Sequence, residues 1–370
     1  MPLAGHAVVL GNAVRARHAL VALGLGAAVS NRAEDVAYLV QPAAFLYRVI
    51  VEGRLAEIII VEDDGSQPLL LTMEAYVPYY RSVGVRAEPM SQMPSALRAL
   101  AARSSKPISL PPEAPVSLYR KVEEAVGSDR ICLADPLADA RLCKSASEIE
   151  LMRQVAAISE AGMRTVLEHC QQGIRECEAA AAGEQVMRRM GADGLCFSTV
   201  VSSGPDLGLM RELTSDRRME LGDWVLVDMG CQRDGYNVEF ARSCILGAPT
   251  SDYLEAYRVV VGAQQAAIGR IHPGVAARDI DAVAREFIAE AGYAKFCYQH
   301  ITGHGIGTGV WEAPTVGPDS SDRLQEGTVV AIEPGVFIPG VGGIRVEDLV
   351  LVTESGSEAL TTFPVLSEAG

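Results

Sequence analysis

Residues 224–239 read WVLVDMGCQRDGYNVE. Trp224-Val-Leu-Val227 is an apolar strand ending at Asp228, Gln232-Arg-Asp-Gly235 has the composition of a turn, and Glu239 lies on the next strand. A hairpin centred between Arg233 and Asp234 sets Asp228 directly across from Glu239. The layout recurs nearer the C-terminus, where Glu333 follows Val329-Val-Ala-Ile332 and Glu347 sits beyond a Pro/Gly-rich loop at 338–342. A hairpin centred on Gly340 sets those two glutamates opposite each other.

Like charges directly opposite on neighbouring strands are destabilising. Burying them among apolar residues costs several kcal/mol unless something neutralises them. Two such pairs invite a cation. A second reading keeps the four acids on solvated strand faces, paired with Arg233, Arg242 and Arg345, and spacing alone leaves both readings open. His300 and His304 are four residues apart and share one face in helix or strand. The run Gly303-His-Gly-Ile-Gly-Thr-Gly309 is too rich in glycine for a stable helix. It lets backbone pack closely and presents His304 from a tight strand or loop, which favours a ligand role. His6, His18, His169 and His272 have no comparable setting and read as structural or exposed.

Working outward, the two hairpins belong to a segment with its own rhythm. Ser145 and Glu148 have capping-box spacing, and an apolar helical stripe follows them. Helices are expected at about 144–170 and 176–190, before strands near 196–203, 224–231 and 236–246. Helices at about 250–270 and 277–291, the latter closed by Gly292, precede strands near 298–302, 328–337 and 344–352. Two rounds of helices then strands predict an α+β domain with a duplicated plan, over residues 144–370. Residues 1–143 form a smaller α/β domain. It has an amphipathic stretch at 14–23, a strand at 57–61, an Asp64-Gly65 turn and a strand at 69–72. The Ser/Pro-rich stretch 104–115 reads as loop and as a candidate linker.

Bulk composition narrows the function classes. A chain of 370 residues fits two domains at roughly 150 residues each. The net charge of −15 repels phosphate backbones, so nucleic acid is not an expected partner. No signal peptide and no run of about 18 apolar residues is recognisable, so no membrane is expected. The eight cysteines form no CxxC pair, which suggests reduced thiols and a cytoplasmic setting.

Several motifs in order carry a resemblance: Asp228-Met-Gly230, Gly235-Tyr236, Gly303-His-Gly-Ile-Gly307, Glu333-Pro-Gly335 and Gly343-Ile-Arg-Val-Glu-Asp348. Together they resemble the pita-bread (M24) family of Xaa-Pro dipeptidases, aminopeptidase P, methionine aminopeptidase and creatinase. Residues 144–153 look like the family's leading helix, and the N-terminal part resembles its creatinase-type domain. The resemblance implies that Asp228, Glu239, His304, Glu333 and Glu347 hold one or two divalent metals (Mn, Zn, Co or Fe). It implies metal-dependent hydrolysis of an amide-like C–N bond in a small peptide or amino-acid-derived substrate, carried out by a homodimer. Glu333 would be general base and then acid, His300 a hydrogen-bond donor at the pocket wall, and Arg345 an orienter of the carboxylates.

Three positions depart from the family pattern. Glu239 stands where aspartate is expected. Its extra methylene moves the carboxylate by more than the roughly 0.2 Å tolerance of a metal site, so the strand must adjust or one metal is held weakly. Arg211 and Trp311 stand where the peptidases carry histidines. An arginine does not shuttle protons near neutral pH, and an indole offers one N–H and an apolar face. Arg211 is instead a candidate for binding a substrate carboxylate, with an exposed loop charge as the alternative. Trp311 is a candidate pocket wall, with core packing as the alternative. The resemblance leaves two other functions open on the same fold: a metal-independent, creatinase-like C–N hydrolase, and a non-catalytic binding module of the kind that has lost its ligands.

Overall fold

In the computed structural model, which describes residues 12–40 and 57–365, the chain divides into two units, Met1–Arg141 and Leu142–Gly370. His6 lies outside the described residues. The first unit runs α1 (Asn12–Ala22), β1 (Ala27–Ser30), α2 (Ala33–Val40), β2 (Ile58–Glu62), β3 (Leu69–Thr72), α3 (Val77–Ser82), β4 (Ala87–Pro89), α4 (Met93–Arg103), β5 (Ile108–Leu110), α5 (Val116–Val126), β6 (Ile131–Leu133) and α6 (Pro136–Leu142). Its strands form a mixed sheet in the order β4-β3-β2-β1-β5-β6. Side chains alternate across it with period two. Ile58 and Ile60 join Leu97, Leu100 and Val122 on one face, while Ile59 and Val61 join Ala16, Leu20 and Val36 on the other. Burial on both faces explains why β2 opens with an unbroken apolar run at Ile58–Val61 rather than an alternating one.

The Asp64-Gly65 turn joins β2 to an antiparallel β3, with Ile59 facing Leu70. The Asp64 carboxylate accepts from the backbone N–H of Ser66 at 2.9 Å. The expected loop at 104–115 is corrected by the structure. Residues Ile108–Leu110 form β5 inside the sheet, between β1 and β6, because three residues with Ile108 and Leu110 buried suffice where both flanking strands supply hydrogen bonds.

The second unit begins with α7 (Ala146–His169) and α8 (Glu176–Arg189). Ser145 caps α7 through the anticipated capping box: Glu148 accepts from the Ser145 backbone N–H at 2.7 Å while the Ser145 hydroxyl receives the Glu148 N–H. Strands β7 (Gly194–Leu195), β8 (Val200–Ser203), β9 (Trp224–Arg233) and β10 (Tyr236–Ile245) follow, with β9 at the centre. A second round starts with α9 (Ser251–Ile268) and α10 (Ala277–Glu290). It continues through β11 (Gly303–Gly305), β12 (Glu312–Val316), β13 (Val329–Ile332), β14 (Gly335–Ile338), β15 (Gly342–Arg345), β16 (Asp348–Thr353) and β17 (Gly356–Ala359). The order β12-β11-β13-β16-β17 makes one sheet, and β14-β15 is a hairpin. The architecture is α+β.

Three strand expectations change. Asp228 does not end its strand but lies in the middle of β9. Residues 298–302 are not a strand, because the carbonyls of Tyr298 and His300 are taken by the Arg285 side chain. The long strands anticipated at 328–337 and 344–352 are each broken, at Glu333-Pro334 and at Val346-Glu347. Proline has no backbone N–H for a ladder, and the Glu333 N–H turns aside to the carbonyl of Thr302 at 2.8 Å.

Candidate metal centre

The turn between β9 and β10 decides how two of the acids meet. It is made by Asp234 and Gly235, whose φ values of 49° and 82° are the left-handed pair that a two-residue hairpin turn needs. This moves the centre by one residue from the sequence-based expectation. Glu239 faces Gly230 and Asp228 faces Ala241, so the two acids are diagonal neighbours on one face rather than direct partners. The second pair keeps its expected register. Gly335 faces Arg345 on one side of the break and Ile332 faces Asp348 on the other, which puts Glu333 and Glu347 level with each other in the gap.

His304 enters between these carboxylates from β11. The flanking glycines are required by close approach: a Cβ on Gly303 would sit 1.9 Å from the Ala331 carbonyl oxygen, and one on Gly305 would sit 2.1 Å from that of Ala313. The His304 Nδ1 donates to the Gly305 carbonyl at 3.0 Å, which leaves the Nε2 lone pair free for a ligand. That Nε2 lies 3.4 Å from Glu239 Oε1 and 3.7 Å from Glu333 Oε1. Ligand atoms of Glu239, His304 and Glu347 all fall within 4.8 Å of one another.

Asp228, Glu239, His304, Glu333, Glu347 and Arg345 are all buried, which removes the solvated-face alternative. The other arginines of that alternative are engaged elsewhere, Arg242 with Asp348 at 2.7 Å and Arg233 near Asp234 at 3.7 Å. Arg345 is therefore the guanidinium at the cluster. It reaches Asp228 at 2.8 Å, Glu333 at 3.4 Å and Glu212 through two contacts of 2.8 Å. Glu212 escaped the sequence analysis. It sits beside Arg211 in a loop with no periodicity, and only the fold brings it to Arg345.

The electrostatics describe a site short of positive charge. Burial, then Asp228 and Glu333, push Glu239 well above the usual carboxylate range; burial and the other three acids do the same to Glu347. Burial pushes Glu333 up to about 7 against the pull of Arg345. Asp228 and Glu212 are raised too, chiefly by burial. Burial lowers His304 to about 4, and burial together with Arg345 lowers His300 to about 3, so both imidazoles are neutral. Burial would lower Arg345, but Glu333, Glu212, Asp228 and Glu347 outweigh it and hold the guanidinium protonated. Among the described residues, five carboxylates face one fixed cation. Asp228 Oδ1 and Glu239 Oε1 are buried with no hydrogen-bond partner among the described residues. Unpaired buried acceptors on an oxygen-and-imidazole donor set fit a divalent cation, and the longer Glu239 side chain still reaches the cluster.

The cluster lines a cavity of about 780 Å³ that also takes in His300, Arg211 and Trp311. Its walls include Phe197, Val200, Met210, Leu213 and Val310. His300 is at the wall as anticipated, but both ring nitrogens are engaged: Nδ1 donates to the Ile301 carbonyl at 2.6 Å and Nε2 accepts from Arg345 at 2.9 Å. Trp311 is 69% exposed, which rules out core packing, and its ring lies 5.2 Å from that of His304. Arg211 is half-buried, with its guanidinium 3.4 Å from the Leu213 carbonyl. His18, His169 and His272 are exposed.

Residues 150–354 match the profile of Metallopeptidase family M24. The Xaa-Pro dipeptidase of Pyrococcus horikoshii is 37% identical over 227 residues, covering 61% of this chain and 64% of that protein. The Xaa-Pro dipeptidase of Pyrococcus furiosus gives 37% over 227 residues, with 61% and 65% covered. The matched stretch thus spans less than two thirds of either relative's length. Among solved structures, the prolidase from Pyrococcus horikoshii superposes with a TM-score of 0.84 at 27% identity, over 96% of this chain and 99% of that one. An Xaa-Pro dipeptidase from Bacillus anthracis gives 0.83 at 26% identity, over 96% and 98%. These likenesses bear out the pita-bread architecture that the motifs imply, and with more than half of the chain inside the family profile, the protein belongs to metallopeptidase family M24.

Proposed function

We propose that this chain is a metal-dependent hydrolase that cleaves an amide-like C–N bond in a dipeptide-like substrate of the Xaa-Pro class. The observation that carries this reading is the buried Glu239–His304–Glu347 group, whose ligand atoms lie within 4.8 Å of one another. Asp228 and Glu333 complete the set that would hold one or two divalent ions, with Mn, Zn, Co and Fe all compatible with carboxylate and imidazole donors. The names of the relatives support the substrate class. A metal held there supplies Lewis-acid polarisation of a carbonyl and acidifies a water.

The chain's own residues do the rest. Glu333, a buried carboxylate in the cluster, takes a proton from the attacking water and passes it to the leaving nitrogen. Arg345 fixes the carboxylates of Asp228 and Glu212. With its nitrogens engaged, His300 contributes a fixed, neutral wall. Arg211 meets the substrate carboxylate, and Trp311, leaning on the His304 ring, closes the open side. A homodimer and a cytoplasmic setting complete the proposal. The cysteines among the described residues are free, and no helix there is long and apolar enough to cross a membrane.

The test is the metal content of protein purified without chelator, with turnover of Xaa-Pro dipeptides after adding Mn or Zn. One or two bound ions are expected, and Glu333→Gln should lower kcat by about 10²–10⁴-fold, the usual scale for losing a general base. Protein that takes up no metal after reconstitution and still cleaves a small C–N substrate would overturn the proposal in favour of metal-free hydrolysis.

A further inference from the structure

The segment 297–302 carries His300 into the cavity without belonging to a strand, and its shape has to be imposed from outside. The Tyr298 and Thr302 N–H groups reach the carbonyls of Gly335 and Val316 at 3.2 and 2.8 Å, and one arginine holds the carbonyls between them. Arg285, on α10, donates from Nη1 to the Tyr298 carbonyl at 3.0 Å and from Nη2 to the His300 carbonyl at 2.6 Å. Its Nε pairs with Asp281 Oδ2, one helical turn earlier, at 2.9 Å, and its guanidinium stacks on the Tyr298 ring at 4.3 Å. The other Asp281 oxygen accepts from the Thr302 hydroxyl at 2.5 Å. The Tyr298 hydroxyl donates to that same Thr302 oxygen, since the Thr302 proton is committed to Asp281. The Thr302 carbonyl then receives the Glu333 N–H at 2.8 Å.

We propose that Asp281 and Arg285 are positioning residues that lock the 297–302 backbone, and through it set both the His300 ring and the placement of Glu333. The pair touches neither substrate nor metal ligands by side chain. Its planar fork serves two carbonyls and a carboxylate at once, which a lysine does not reproduce. The catalytic consequence rests on the hydrolase reading above; the conformational one does not.

The test uses the full chain and three variants, Arg285→Met, Arg285→Lys and Asp281→Asn. Imidazole ¹⁵N spectra, with the His300 signals assigned by their loss in His300→Gln, report its tautomer in chelated protein. Steady-state rates with saturating Mn report kcat and KM on an Xaa-Pro dipeptide. The wild type should show one His300 tautomer, protonated at Nδ1. Arg285→Met should show averaged tautomers and a kcat lower by about 10–100-fold with KM within about threefold, because a misplacement near 1 Å costs on the order of 10² in rate. Arg285→Lys and Asp281→Asn should fall between. An unchanged His300 signature in Arg285→Met overturns the proposal, as does a changed signature with wild-type kcat. If the methionine variant does not fold, the lysine variant is read by the same criteria. A wild type with neither metal nor turnover defeats the hydrolase reading, and the tautomer spectra alone then decide this one.

Discussion

At Arg345 a single guanidinium supplies the fixed positive charge that faces the acids of the site. It contacts Asp228, Glu212 and Glu333, and it donates to His300. Removing one partner from a buried ionic group costs roughly 3–5 kcal/mol because the remaining charges are left uncompensated. Arg345→Met should therefore lower Tm in chelator by about 6–20 °C, at roughly 2–4 °C per kcal/mol for a unit of this size. Added Mn should recover part of the loss, since a cation then supplies the missing positive charge. A chelated variant melting within about 2 °C of wild type would contradict this balance of charges. Much at this scale was legible beforehand. Glycines around His304 signalled a backbone pressed against its neighbours, and the cluster does contain all five residues named from motifs. Glu212 was not legible, because a loop carboxylate has no pattern that distinguishes it from a solvated one.

The loop that delivers Arg211 and Glu212 is held at both ends by one carboxylate. Glu176, at the start of α8, accepts from the N–H and hydroxyl of Ser203 at 2.8 and 2.7 Å, and from the N–H and hydroxyl of Ser215 at 2.9 and 2.7 Å. Glu176→Ala strips a buried acceptor from four donors. It should cost roughly 3 kcal/mol, the scale of charge-assisted hydrogen bonds with their donors left unmet. Hydrogen exchange across 204–215 should quicken more than exchange in α7, while equal protection in both would show that the loop is held by something else. The β9–β10 turn teaches a related lesson. Asp234-Gly235 is a two-residue hairpin signal, and reading four residues as the turn displaced the register by one. The face shared by Asp228 and Glu239 survived, since diagonal neighbours across a hairpin still point the same way.

For the whole molecule, the raised carboxylates make stability depend on pH in a direction opposite to the histidines. His300 and His304, held low, contribute stability that is present above about pH 6.5 and lost as pH falls toward 4 and 3. Glu333, raised to about 7, contributes stability present below its unfolded value of 4.5 and lost as pH rises through 7. Glu239 and Glu347, raised well above 4.5, extend that loss to higher pH. As pH rises past 6.5 toward 8 the histidines become neutral in both states, and the pH dependence of the cluster passes to the carboxylates. The gain in Tm on replacing chelator with Mn should accordingly grow from pH 6.5 to 8, as protons stop competing for the same oxygens. Thermal melts in both buffers read it directly; a gain that is constant or shrinking over that window would show that the acids are not the ligands.

The sequence by itself determined the local and the ordered: helices with their caps, apolar strands, the glycine run around His304 and the motif order that marks the family. These follow from propensity and periodicity, which act over a few residues and need no partner. The tertiary structure decided the rest. It broke the long strands at Glu333 and Glu347, drew Ile108–Leu110 into the first unit's sheet, and denied residues 298–302 a strand by giving two of their carbonyls to Arg285. It also chose which arginine serves the acids. Arg233, Arg242 and Arg345 are alike in sequence, but only Arg345 is buried facing the cluster. The physical reason is common to all of these: hydrogen-bond partners and counter-charges distant in sequence are assigned by packing, and no pattern along the chain records where packing will bring them.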